Sequence, residues 1–140
     1  MKKILLLLVI GCFVLSFNQL NAQVMAQKPV WITIKSSNMR CWECKDKLES
    51  YMNTESKANY ESGVGQMKIN MFNGEIRILY HPDRITPEDL RVIINNAGFD
   101  ADEEKATESS YKKLPPQCKR KEDGGGPLKG KPCHMTPDNY

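Results

Sequence analysis

The sequence predicts an α+β fold of the split βαβ, ferredoxin-like kind (βαββαβ), an antiparallel sheet with two helices on one face. Three observations predict it. Apolar residues recur with strand and helix periods in the order strand, helix, strand, strand, helix, strand between about Lys28 and Glu104. Asn73-Gly74 sits between the two middle strands, and both residues tolerate the positive φ of a tight hairpin. Thr86-Pro87-Glu88-Asp89 reads as a helix start, with a cap, a first-turn proline and an approximate capping box.

Each element has its own signal. Val30-Trp31-Ile32-Thr33-Ile34-Lys35 is rich in β-branched residues, and Val30, Ile32 and Ile34 would share one face. Ser36 to Arg40 is a short loop. From Cys41 onward, Cys44, Leu48, Tyr51 and Met52 recur at helical spacing, and the helix should fade near Thr54. Met67, Ile69 and Met71 alternate with Lys68, Asn70 and Phe72 as one hairpin arm; Ile76, Ile78 and Tyr80 form the other. Leu90, Ile93, Ile94 and Ala97 make one stripe of the second helix, and Gly98 can close it in the left-handed conformation. Phe99 to Asp102 then begins a short last strand.

Residues 1–22 read as an export signal. Lys2 and Lys3 precede an apolar run from Ile4 to Leu15, and Leu20-Asn21-Ala22 offers a cleavage point before Gln23. Val24-Met25-Ala26 is a second candidate. Val9-Ile10-Gly11-Cys12 resembles a lipoprotein box but ranks behind, because a cut there leaves a very short apolar segment. The run is too short for a confident membrane span, and no other long apolar run follows. The expected location is therefore periplasmic or secreted. Beyond the signal, 18 basic side chains face 17 acidic ones, which argues against nucleic acid as the main partner. Residues 23–111 are acidic, with 11 basic and 14 acidic side chains; residues 112–140 are basic, with 7 and 3.

The chemistry concentrates in Met39-Arg40-Cys41-Trp42-Glu43-Cys44. Two soft thiols one helical turn apart follow a strand and open a helix. By spacing alone they are a metal site, a redox dithiol or a plain disulfide. A helix start favours the thiolate form that a soft cation needs. Arg40, Lys45 and Lys47 could help neutralise two thiolates, and Glu43 would oppose them. Two cysteines are too few for a closed structural zinc site and suit two-coordinate Cu(I) or Hg(II). An open shell lets an incoming thiolate join, which points to carriage and not to catalysis or storage. The rival from another class is a thiol–disulfide redox protein using the same pair; no partner proline loop supports it. His81 reads as a turn residue, and Phe99 and the Met67/Met71 pair as core and not as a methionine copper site.

The strand–Met39-x-Cys41-x-x-Cys44–helix start, Asn73-Gly74, Thr86-Pro87-Glu88-Asp89-Leu90 and Ala97-Gly98-Phe99 together resemble the heavy-metal-associated domain, over roughly 75 residues of the 28–104 segment. The resemblance implies that Cys41 and Cys44 ligate metal and that Met39 packs beneath the loop. It also implies a metal-donor or metal-acceptor protein as partner, with Cu(I) the first choice of cargo and Hg(II) or Zn(II) as alternatives. Asn38, Arg40, Trp42 and Glu43 depart from the family pattern, where Gly precedes the Met and small residues surround the cysteines.

Residues 107–140 turn rich in Lys, Pro and Gly and are expected to form a flexible basic arm. The arm carries Cys118 and Cys133-His134-Met135. Two expectations stand side by side: auxiliary metal ligands that fold back on Cys41 and Cys44 or form a second site, and a Cys118–Cys133 disulfide worth about 3 kcal/mol.

Overall fold

The computed structural model describes residues 27–55 and 62–126. Strands β1 (Val30–Lys35), β2 (Val64–Asn70) and β3 (Glu75–Tyr80) form an antiparallel sheet in the order β1-β3-β2. Ile34 pairs with Ile76, and Ile76 with Ile69, so three apolar side chains share one rung of the inner face. Helices α1 (Trp42–Ser50) and α2 (Pro87–Asn96) cover that face. Leu48 of α1 and Leu90 and Ile94 of α2 join Ile34, Ile76, Ile78, Met39 and Phe99 in one buried cluster. The outer face carries Trp31, flanked by Lys68 and Arg77, each 5.4 Å from its ring.

Helix α2 follows its sequence signals closely. Thr86 Oγ1 accepts from Asp89 N at 3.2 Å, and Asp89 Oδ2 accepts from Thr86 N at 3.1 Å, closing the capping box. Gly98 has φ +98° and ends the helix. Helix α1 continues for a wider π turn, Tyr51–Glu55, where the helical pattern was expected to fade. Backbone bonds to His81 O from Arg84 and Ile85 place His81 in the turn after β3.

Two expectations need correction. The hairpin loop is Met71 to Gly74, so Met71 is a loop residue and only Gly74, at φ +65°, takes the left-handed conformation. The glycine is required by a close approach: its carbonyl accepts from Ser36 N at 2.7 Å, and a Cβ there would sit 2.4 Å from Ser36 O. Phe99–Asp102 does not form a strand either; the described residues hold only an isolated bridge between Ala101 and Glu104. Asp102 has φ +55°, which breaks an extended run. It still serves the free edge of β1: Asp102 N donates to Lys35 O at 2.7 Å and Asp102 Oδ1 accepts from Lys35 N at 2.9 Å.

The stretch after Thr107 is the larger difference. A flexible arm was expected, yet residues 107–126 fold onto the domain as helix α3 (Glu108–Lys112) and two 3-10 turns, Pro116–Cys118 and Lys121–Asp123. Tyr111, Leu114 and Cys118 are buried against the main core. They sit at i, i+3 and i+7, an apolar spacing that Pro115 and Pro116 masked in the sequence. The proposed signal peptide and Cys133, His134 and Met135 lie outside the described residues. No helix of the described residues is long and apolar enough to cross a membrane.

Candidate metal centre

The loop between β1 and α1 places both cysteines. Cys41 is the N-cap residue of α1, in extended conformation, and its carbonyl accepts from Cys44 N at 3.1 Å and Lys45 N at 3.0 Å. Cys44 therefore stands one turn into the helix, on the core side. Met39 anchors the loop from beneath and is fully buried. Cys41 is 2% exposed and Cys44 0%, so the sulfurs are covered, where an open loop would leave them in solvent.

The cover is the docked tail. Cys44 forms a disulfide with Cys118, across 74 residues of sequence and a Cα separation of 5.5 Å. The expected Cys118–Cys133 bridge is thus replaced by one that ties the tail to the first helix. Cys41 is also disulfide-bonded, and its Sγ lies 3.9 Å from the Gln117 carbonyl oxygen. In this oxidised arrangement no group of three or more His, Cys, Asp or Glu side chains among the described residues could hold a metal ion.

Asn38 explains why the residue before Met39 is not glycine. It is 1% exposed, and all its hydrogen-bonding groups join the loop to its surroundings. Nδ2 donates to Gly98 O at 3.2 Å and to Cys118 O at 3.0 Å; Oδ1 accepts from Ser36 Oγ at 3.1 Å and from Asp100 N at 3.0 Å. One side chain thus fixes the cysteine loop, the end of α2 and the tail together.

Arg120 provides the second attachment. It reaches back to Asp100, with Nε 2.7 Å from Oδ2, and both side chains are nearly buried. Burial pushes the Asp100 carboxyl up, but bonds from Arg120, Ser37 and the Ala106 N–H outweigh it and hold the group below its ordinary value. The Arg120 guanidinium also lies 4.2 Å from the Tyr111 ring centre, and the Tyr111 hydroxyl accepts from Arg120 N at 2.8 Å. Sequence reasoning missed Asp100, Tyr111 and Arg120, because a Lys/Arg-rich segment usually reads as solvated surface. The nearby cations have other occupations: Lys45 pairs with Glu49 at 3.2 Å and lies 4.2 Å over the Trp42 ring, and Arg40 Nε donates to Ser37 O.

No family model matches the chain. Over 76 residues it is 34% identical to copper-transporting ATPase 2 of Homo sapiens, a match covering 54% of this chain and 5% of that protein. The chain therefore spans a small fraction of that relative's length. Among solved structures it is similar to a copper binding domain from HMA7, a P-type ATPase, at 21% identity, 51% of this chain, 89% of that chain and TM-score 0.44. It is similar also to oxidized MerP from Ralstonia metallidurans CH34, at 12% identity, 52% and 93% coverage and TM-score 0.44. The strand–Cys41-x-x-Cys44–helix order and the two-helix α+β fold thus stand beside a similarity, over 76 residues, to part of a copper-transporting ATPase.

Proposed function

We propose that the protein binds a soft heavy-metal ion, with Cu(I) the first candidate, through the thiolates of Cys41 and Cys44, and passes it to a partner protein by thiolate exchange. The observation that carries this reading is the placement of the pair. One cysteine is the N-cap residue of α1 and the other stands one turn inside it, next to backbone N–H groups and the positive end of the helix dipole. Those groups stabilise anionic sulfur, and two thiolates match the low coordination number of Cu(I) or Hg(II). The relative's name, copper-transporting ATPase, supports the choice of copper. The N-terminal apolar run supports export to the periplasm or beyond, where oxidation of the four remaining cysteines is expected.

Binding requires the reduced protein, since a disulfide sulfur is no thiolate. The test is anaerobic titration of the reduced chain with Cu(I) against a competing chelator. One bound equivalent, lost in Cys41→Ser with Cys44→Ser, supports the reading.

The Cys44–Cys118 disulfide favours one second reading, an exported thiol–disulfide redox protein. Under that reading the reduced chain retains no soft metal, and the dithiol is readily oxidised by exchange with a substrate disulfide.

A further inference from the structure

The tail cysteine has no place in a two-thiolate site, yet the fold brings it to that site. We infer that Cys118 is a third thiolate ligand for the soft cation, held within reach by the docked tail. The inference rests on the metal site proposed at Cys41 and Cys44.

Cys118 is fully buried and already within bonding range of Cys44. Cys41 Sγ contacts the carbonyl of Gln117, the residue beside it. Cys44 and Cys118 are bonded and Cys41 Sγ lies beside Gln117, so the three cysteines meet where the start of α1 faces the 3-10 turn Pro116–Cys118. What matters is whether Cys118 stays there once the disulfide is open, and several contacts that do not involve sulfur say that it does. Asn38 Nδ2 holds the Cys118 carbonyl, and Cys118 N donates to Pro115 O at 2.9 Å. Upstream, Leu114 packs so closely on Gly98 that a Cβ on Gly98 would lie 3.0 Å from Leu114 Cγ. Downstream, Arg120 is fixed to Asp100 and stacked on Tyr111. The segment carrying Cys118 is thus pinned on both sides, and reduction removes the crosslink without removing the docking surface.

The disulfide and the metal site are then alternative states of the same sulfurs. A dithiol reductant converts one to the other by exchange: its two thiols become one disulfide, and Cys44 and Cys118 are left as two thiols. The disulfide of Cys41 opens in the same way with a second equivalent. Binding of the cation then displaces protons from the thiols. A third thiolate fills a position that a two-thiolate carrier leaves open to its partner. The docked tail should therefore retain metal, and handing it on should require the incoming ligand to displace Cys118.

The test uses the full chain, reduced with a dithiol and freed of it under anaerobic conditions, with and without one equivalent of Cu(I). Cysteine alkylation is followed residue by residue by peptide mass mapping, and copper–sulfur coordination by X-ray absorption. The inference expects Cu(I) to protect Cys118 together with Cys41 and Cys44. It also expects Cys118→Ser to lower the sulfur coordination number while still binding metal. If Cys118 is alkylated equally fast with and without metal while Cys41 and Cys44 are protected, the third ligand is refuted and the two-thiolate site stands. If none of the three is protected, both the inference and the underlying metal site fall.

Discussion

Replacing Arg120 by alanine should undock the tail, and the structure sets the size of the effect. The Arg120 and Asp100 side chains are 11% and 8% exposed. Removing one partner of such a buried pair leaves a stranded charge and typically costs 3–5 kcal/mol. Asp100 keeps the Ser37 hydroxyl and the Ala106 N–H, so about 3 kcal/mol is the appropriate end of that range. Loss of the guanidinium over Tyr111 acts in the same direction, by about 1 kcal/mol. For a domain of this size the midpoint of thermal unfolding should fall by roughly 12 °C or more. The pH dependence has a definite sign. Because the folded Asp100 carboxyl is held below its ordinary value of 3.8, the pair's contribution is fully present above that pH. It is lost as pH falls through the depressed folded value. The gap between wild type and Arg120→Ala should stay constant from neutral pH down to about 4 and close in stronger acid. Circular dichroism melts of the reduced proteins across that range measure both quantities. A stability loss under about 1 kcal/mol, or a gap that does not narrow in acid, would refute a tail held by this pair.

Three further substitutions probe the same construction. Asn38→Gly should cost about 2–4 kcal/mol in urea unfolding, because it strands the Gly98 and Cys118 carbonyls and the Asp100 N–H together. Gly98→Ala meets both a left-handed backbone and Ser110 O at 3.0 Å; its expected cost is above about 1 kcal/mol, with faster hydrogen exchange in α3. Thr86→Ala removes the cap of α2 and should lower stability by about 1 kcal/mol while leaving metal binding unchanged, which separates general stability from the site.

Elements with local signals were legible in the sequence. Helix α2 carries its own start and stop in Thr86, Asp89 and Gly98, and all three act as their residue types suggest. The placement of Cys41 and Cys44 at the start of α1 was legible for the same reason, since a strand pattern ends and a helix pattern begins around them. What escaped depends on contacts distant in sequence. The Asn73-Gly74 pair suggested a two-residue turn, but the distant Ser36 carbonyl decides the loop's shape. Phe99–Asp102 has the composition of a strand, yet Asp100 turns inward to Arg120 and Asp102 turns left-handed to serve the edge of β1. The basic, proline-rich tail looked solvated because Asp100, the partner of the nearly buried Arg120, lies 20 residues away. Asn38 was visible only as a departure from a family pattern; its four hydrogen bonds give that departure a structural reason.

The central claim is that the reduced Cys41–Cys44 loop binds a soft metal ion. Native mass spectrometry of the reduced chain after anaerobic exposure to Cu(I), beside the Cys41→Ser, Cys44→Ser double variant, tests it most directly. The account expects one copper on the wild type and none on the variant. A wild type that stays metal-free, or a double variant that keeps its copper, would contradict it.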